Sequence, residues 1–195
     1  DVLTGAGALT ANATTVRVLA DMTASSSGAS ISGNLGLNNG NRAFTVGESS
    51  AATELSISAI IAGNGTSGAL TKSGRGALEL SGNNTYTGNT TVSAGTLELS
   101  GGSAITDTGT VTMTNAAGAL VKLNASETVG SVTGGGALGG DVNIQNFDLT
   151  VQPTGAGTLT GDLIGTGGLI KRGSANYVLQ GDNALFTGKT TVEVG

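Results

Sequence analysis

Two carboxylates are the residues of this chain best placed, by type and spacing, for chemistry. Glu79 and Glu98 each stand between two leucines, in Leu78-Glu79-Leu80 and Leu97-Glu98-Leu99, 19 residues apart. If one triplet lies on the rung above the other, both carboxylates point outward and stack at about 5 Å, the spacing of adjacent strands. Like charges that close raise the pKa of one group. A retaining glycosidase also needs two carboxyls about 5 Å apart. Such sites add further charged groups and aromatic platforms for sugars, whereas the surroundings here are Ser, Thr and Gly. The pair therefore reads as a solvated face of a structural element.

Three glycine-containing segments resemble ligand loops and fail on context. Gly63-Asn-Gly-Thr-Ser-Gly68 has the glycine pattern of a dinucleotide loop. That loop must open a helix whose N-terminus binds pyrophosphate, and Ala-Leu-Thr-Lys-Ser reads as a strand. In Asn183-Ala-Leu-Phe-Thr-Gly-Lys189-Thr190, Asn183 stands where a phosphate-binding loop requires Gly. Gly134-Gly-Gly-Ala-Leu-Gly-Gly-Asp141 is one irregular copy of a calcium-type glycine–aspartate repeat, which works only in tandem. The chain has no Cys and no His. Disulfides, thiol catalysis, Cys/His zinc sites and Ser-His or Cys-His arrangements therefore have no residues to use. No catalytic, metal or cofactor residue is assigned, and the chain is read as a non-enzyme.

The elements that must position these residues follow from composition. Of 195 residues 35 are Gly, one is Pro and 3% are aromatic. That is too few bulky side chains for a conventional globular core, and too many aliphatics with too little charge for a disordered chain. Short runs with apolar residues at i and i+2 carry the period of half-buried strands. They are Ala43–Val46, Leu55–Ile61, Ala77–Leu80, Thr91–Ser93, Thr96–Leu99, Thr110–Thr114, Ala119–Leu123, Val142–Ile144, Asp148–Gln152 and Tyr177–Leu179. Gly, Asn and Ser punctuate them, and no segment holds a helical period. Net charge is −5 with 11% charged residues, which argues against nucleic acid and anionic membranes as partners. No apolar run approaches the roughly 20 residues of a membrane helix. No signal peptide is visible, so an exported protein would be represented here by a mature or excised piece.

One stretch occurs twice, at residues 68–95 and 167–195. Leu70, Lys72, Gly74, Leu80, Gly82 and Asn84 recur as Leu169, Lys171, Gly173, Leu179, Gly181 and Asn183. With one residue inserted, Thr87, Gly88, Thr90, Thr91, Val92 and Gly95 recur as Thr187, Gly188, Thr190, Thr191, Val192 and Gly195. An internal repeat points to a stacked, quasi-one-dimensional architecture. The spacing of the two Leu-Glu-Leu triplets decides for parallel stacking, and the crossover rule favours a right-handed coil. The expectation is an all-β, right-handed parallel β-solenoid of roughly nine rungs and about 40 Å, forming one domain. Leu70, Leu78, Leu80, Val92, Leu97 and Leu99 should face inward. Gly74, Gly82, Gly88 and Gly95 should sit at corners, where a side chain would clash or φ is positive. Asn83 and Asn84 should close a turn, and Tyr86 and its counterpart Phe186 should pack on a corner.

The block G-x-L-x-K-x-G … L-x-L-S-G-x-N-T-Y-T-G-x-T-T-V-x-x-G-T-L-x-L over residues 68–101 resembles the passenger-associated repeat of bacterial autotransporters. Residues 167–195 carry it with Tyr177 in place of Leu and Asn-Ala-Leu-Phe in place of Asn-Thr-Tyr. Ser126-Glu-Thr-Val-Gly-Ser-Val-Thr-Gly-Gly-Gly-Ala-Leu is similar to the linking rungs of such passengers, and the resemblance covers residues 44–195. It implies a secreted surface protein and a structural or adhesive extracellular stalk. Its expected partners are flanking rungs or identical subunits at the solenoid ends, and a host surface or glycan on shallow Ser/Thr/Asn faces. Two rivals remain: a filament subunit stacking end to end, and a polysaccharide-binding or -cleaving β-helix of tailspike type.

Overall fold

The computed structural model describes residues 2–3, 8–17, 22–24, 28–63 and 68–193. Among these there is no helix. Short strands stack in parallel into a β-solenoid of about 8 turns. The first sheet runs through Val2–Leu3, Met22–Ala24, Asn41–Val46, Ala69–Ser73, Thr90–Val92, Thr110–Met113, Ser131–Gly134, Gly157–Leu159 and Tyr177–Leu179. The second runs through Ala8–Arg17, Ala29–Gly36, Leu55–Ile57, Ala77–Leu80, Thr96–Leu99, Leu120–Leu123, Asp141–Gln145 and Leu163–Gly165, and Ile60–Ala62 also pairs with Ala29–Gly36. The third is shorter: Glu127–Val129, Leu149–Val151, Leu169–Lys171 and Thr190–Val192.

The pairing register explains the core. Leu97 lies on Leu78, Glu98 on Glu79 and Leu99 on Leu80. The same inward column continues from Leu55 through Leu78, Leu97, Val121 and Val142 to Leu163. Each of these side chains is buried. Alternation sends the neighbouring residue outward, so one-residue slippage would turn every aliphatic column to solvent. Full burial stabilises each such side chain by about 1.5–3 kcal/mol, and stacking repeats this gain at every rung. A core thus grows mostly from aliphatics, with Phe44 and Tyr86 as its large buried aromatics.

Two sequence readings need adjustment. Leu55–Ile61 is two strands rather than one. The amides of Ser58 and Ala59 both donate to the Ile31 carbonyl, at 2.9 and 3.2 Å, and turn the chain between them. The rod also has about 8 turns rather than nine, because several rungs carry excursions. One is a finger at Gly134–Gly140, pinched by an antiparallel Gly136–Gly139 bridge. Another is the segment Gln152–Ala156 between the third and first sheets.

Candidate functional site

Glu79 and Glu98 belong to an outward column of the second sheet that reads Ser56, Glu79, Glu98, Lys122, Asn143. The stack aligns the two carboxylates, but each has its own partners. Glu79 accepts hydrogen bonds from the hydroxyls of Ser56 (2.7 Å) and Ser100 (2.9 Å). Glu98 is paired with Lys122 at 2.9 Å and accepts from Thr53 Oγ1 at 2.9 Å. Glu98 is 6% exposed, so it is roofed over by its neighbours rather than solvated as the sequence led us to expect. With both oxygens of each carboxylate engaged by the fold, the pair ties rungs together. Nothing in the arrangement leaves one carboxyl poised to give a proton and the other to attack.

The glycine segments have equally structural settings. Gly68 leads into the strand Ala69–Ser73, not a helix; residues 64–67 of that segment lie outside the described residues. Asn183 adopts φ 51°, and the strand Thr190–Val192 follows, again with no helix. In Gly134–Asp141, five glycines have positive φ and shape the finger. The carboxylate of Asp141 accepts the backbone N–H of Asp162 (2.9 Å), and that of Asp162 accepts the N–H of Asp182 (2.7 Å).

The repeated residues form the corners and columns of the coil. Leu70, Leu78, Leu80 and Val92 are fully buried, and Leu169 is 3% exposed. Leu179 is half-buried, while Val192, on the last described rung, is 63% exposed. Gly74, Gly95 and Gly173 have φ of +74°, +66° and +76°. At Gly82, Gly88, Gly181 and Gly188 a Cβ would lie 2.0, 2.4, 2.3 and 1.7 Å from a carbonyl oxygen of the rung below. Asn84 is buried, with Oδ1 accepting from Ile61 N (2.7 Å) and Nδ2 donating to Ala104 O (2.8 Å). Asn183 accepts from Leu163 N at 2.7 Å. Tyr86 is buried and its hydroxyl bonds Thr90 Oγ1 at 2.7 Å; burial pushes its phenol pKa up. Phe186 packs against the core only in part.

Three features escaped the sequence reading. First, the repeat lysine is internal. Lys72 lies in the inward column between Phe44 and Val92 and is fully buried. Its ammonium donates to the carbonyls of Ser73 (3.0 Å), Gly74 (2.7 Å) and Ala94 (2.9 Å), closing two successive corners. Burial pushes its pKa down to about 8, opposed by the charge of Glu54. Lys171 likewise donates to Gly173 O. The recurring Lys-x-Gly, two residues before a positive-φ glycine, was the available signal.

Second, Glu127 holds the third side of the rod together before its regular sheet begins. Glu127 is 2% exposed, and its carboxylate accepts from Ala104 N (3.3 Å) and Ile105 N (2.9 Å). Asn84 and Glu127 thus add side-chain bridges between rungs to the scattered backbone bonds of this side, such as Asn84 N to Ser103 O (3.1 Å) and Thr85 N to Ile61 O (2.8 Å). Burial pushes the Glu127 pKa up to about 7, partly offset by those two N–H bonds, with Asp107 adding to the rise.

Third, the two repeat copies occupy different faces. Leu70 and Leu80 lie in the first and second sheets, whereas Leu169 and Leu179 lie in the third and first. The same strand–corner–strand unit is rotated by one face.

The model of the family described as the passenger-associated-transport-repeat matches residues 70–99 and 169–195. No curated protein and no solved structure matches the chain. The matched segments coincide with the two copies whose lysines, glycines and asparagines build the corners. The repeat family implies a secreted, surface-exposed protein. Carrying two such repeats on a parallel β-solenoid, the chain fits an autotransporter passenger domain.

Proposed function

We propose that this chain is a structural stalk segment of an extracellular surface protein, a rod that holds adhesive or other surfaces away from the cell. The observation that carries this is the use of the repeat itself. Lys72, Asn84 and Glu98 of the first copy spend their polar atoms on joining rungs, and Glu127 does the same beyond it. At about 4.8 Å per rung, about 8 turns give a rod on the order of 40 Å. Stacking also suits export in extended form, because each rung is stabilised by the one before it.

An antibody raised against the chain tests this on cells of the source organism. Labelling of intact cells is expected. Labelling confined to permeabilised cells would rule out a surface stalk.

A further inference from the structure

Between the strands Thr96–Leu99 and Thr110–Met113 the chain crosses the third side of the rod as an arc with no strand. Gly101 and Gly102 open the arc with φ of +88° and +79°, a backbone conformation that glycine adopts without steric cost. Ala104 and Ile105 anchor it in the core, at 0% and 1% exposure. From Gly101 to Thr108 only two backbone N–H groups find an acceptor among the described residues. They are those of Ala104 (3.3 Å) and Ile105 (2.9 Å), and both donate to the Glu127 carboxylate. Side chains meet the arc's carbonyls as well: Asn84 Nδ2 donates to Ala104 O (2.8 Å) and Gln152 Nε2 to Asp107 O (2.9 Å). The backbone of other rungs adds one bond, from Asn84 N to Ser103 O at 3.1 Å.

Glu127 itself heads an inward column, with Leu149 stacked on it and Leu169 on Leu149. No opposite charge meets it there: the ion pairs among the described residues are Lys122–Glu98 and Arg172–Glu193. The titratable groups that face it are the buried Tyr86 phenol and the Asp107 carboxylate on the arc. Asp148, in the next rung, spends its Oδ1 on Gly168 N at 2.8 Å. Burial pushes the Glu127 pKa up to about 7, the two arc N–H groups oppose the rise, and Asp107 adds to it.

We propose that the arc Gly101–Thr108 is a strap that Glu127 holds shut and that loosens locally as this carboxyl ionises, while the strands at its two ends stay stacked. Ionised in place, Glu127 is a charge out of water with no cation beside it and Asp107 near, a costly arrangement. Lifting the arc lets water reach it. The lift breaks only the bonds to Glu127, Asn84 and Gln152 and the weak one from Thr106 Oγ1 to Tyr86 O (3.4 Å). Thr96–Leu99 and Thr110–Met113 meanwhile keep their ladders to the rungs on both sides. The folded pKa of Glu127 lies above its value of 4.5 in the open chain, so the closed strap is fully favoured below pH 4.5 and loses that advantage as pH rises through 7. The strap is thus a pH-sensitive joint within one rung, and the inference does not rest on the stalk reading.

The test is amide hydrogen exchange followed by NMR on the 195-residue chain, at low urea concentrations and from about pH 5 to 9, with rates corrected for the pH dependence of exchange itself. The amides of Ala104 and Ile105 should exchange through an opening that hardly depends on urea, because lifting the arc exposes little surface. The amides of Leu97 and Val121, in paired strands, should show the steep urea dependence of global unfolding. The opening constant at Ala104 and Ile105 should rise on the order of a hundredfold across that pH range. In Glu127→Gln, which never ionises, it should stay flat. In Asp107→Asn, which removes a neighbouring negative charge at an exposed position, it should rise less than in the parent, and this variant keeps the test valid if Glu127→Gln does not fold. Three results would overturn the proposal: a urea slope at Ala104 and Ile105 equal to that at Leu97, an opening constant in the parent that is flat or falls with pH, or a pH dependence in Glu127→Gln equal to the parent's.

Discussion

Glu127 gives the most quantitative expectation. Its carboxyl is buried where the third side of the rod changes from bridged turns to regular strands. Burial raises its pKa from 4.5 to about 7, so the folded chain holds this proton more tightly than the unfolded chain. The contribution to stability is complete below pH 4.5 and is lost as pH rises through 7. At about 1.4 kcal/mol per pKa unit, the loss is about 3 kcal/mol. Glutamine mimics the protonated acid, keeping one acceptor for Ile105 N–H and never ionising. Urea unfolding of the parent and of Glu127→Gln should therefore be compared from about pH 4 to 8. Subtracting the two curves removes other titrating groups, including Glu54, whose lowered pKa works in the opposite direction. The difference should shift by about 3 kcal/mol in favour of Glu127→Gln across that window. A difference that stays flat with pH would refute the reasoning that Glu127 is a buried, proton-holding tie.

Further expectations concern the corners and the core. Gly82→Ala places a Cβ 2.0 Å from the Ala59 carbonyl oxygen and should cost about 3 kcal/mol or more in thermal or urea melts. Gly155→Ala meets nothing within 4 Å and should be neutral or stabilising by up to about 1 kcal/mol. Lys72→Met fills the inward column with an apolar side chain, yet it strips the carbonyls of Ser73, Gly74 and Ala94 of their donor. It should destabilise by about 3 kcal/mol, and urea unfolding that matches the parent would show the corner bonds to be dispensable. Leu97→Ala removes a fully buried side chain in mid-column and should cost about 2–5 kcal/mol by the same assay.

The register was legible because it rests on a coincidence of two signals. Leu78-Glu-Leu80 and Leu97-Glu-Leu99 share an alternation and lie one coil apart, so only one stacking buries four leucines together. The faces were harder. The unit beginning at Leu70 and the unit beginning at Leu169 have the same local pattern, and local pattern does not record which side of a prism a strand occupies. The roles of Lys72 and Glu127 were hidden for a related reason. A charged residue in an alternating run reads as outward, and only the carbonyls and amides of neighbouring rungs show why it is turned in. Glu98 was read as solvated because the hydroxyl that roofs it, Thr53, lies 45 residues earlier. Tyr177 reaches the Val132 carbonyl over an equal separation.

The central claim is that the rungs stack in this register, and a disulfide tests it directly. The chain has no cysteine of its own, and stacked residues on adjacent parallel strands are about 4.8 Å apart, within the reach of a disulfide. The double variant Glu79→Cys/Glu98→Cys should cross-link quantitatively under mild oxidation, seen by gel shift and peptide mass. Glu79→Cys/Lys122→Cys, two rungs apart, should not. A first pair that stays reduced in the folded chain, or a second pair that closes as readily, would contradict the solenoid on which every other statement here depends.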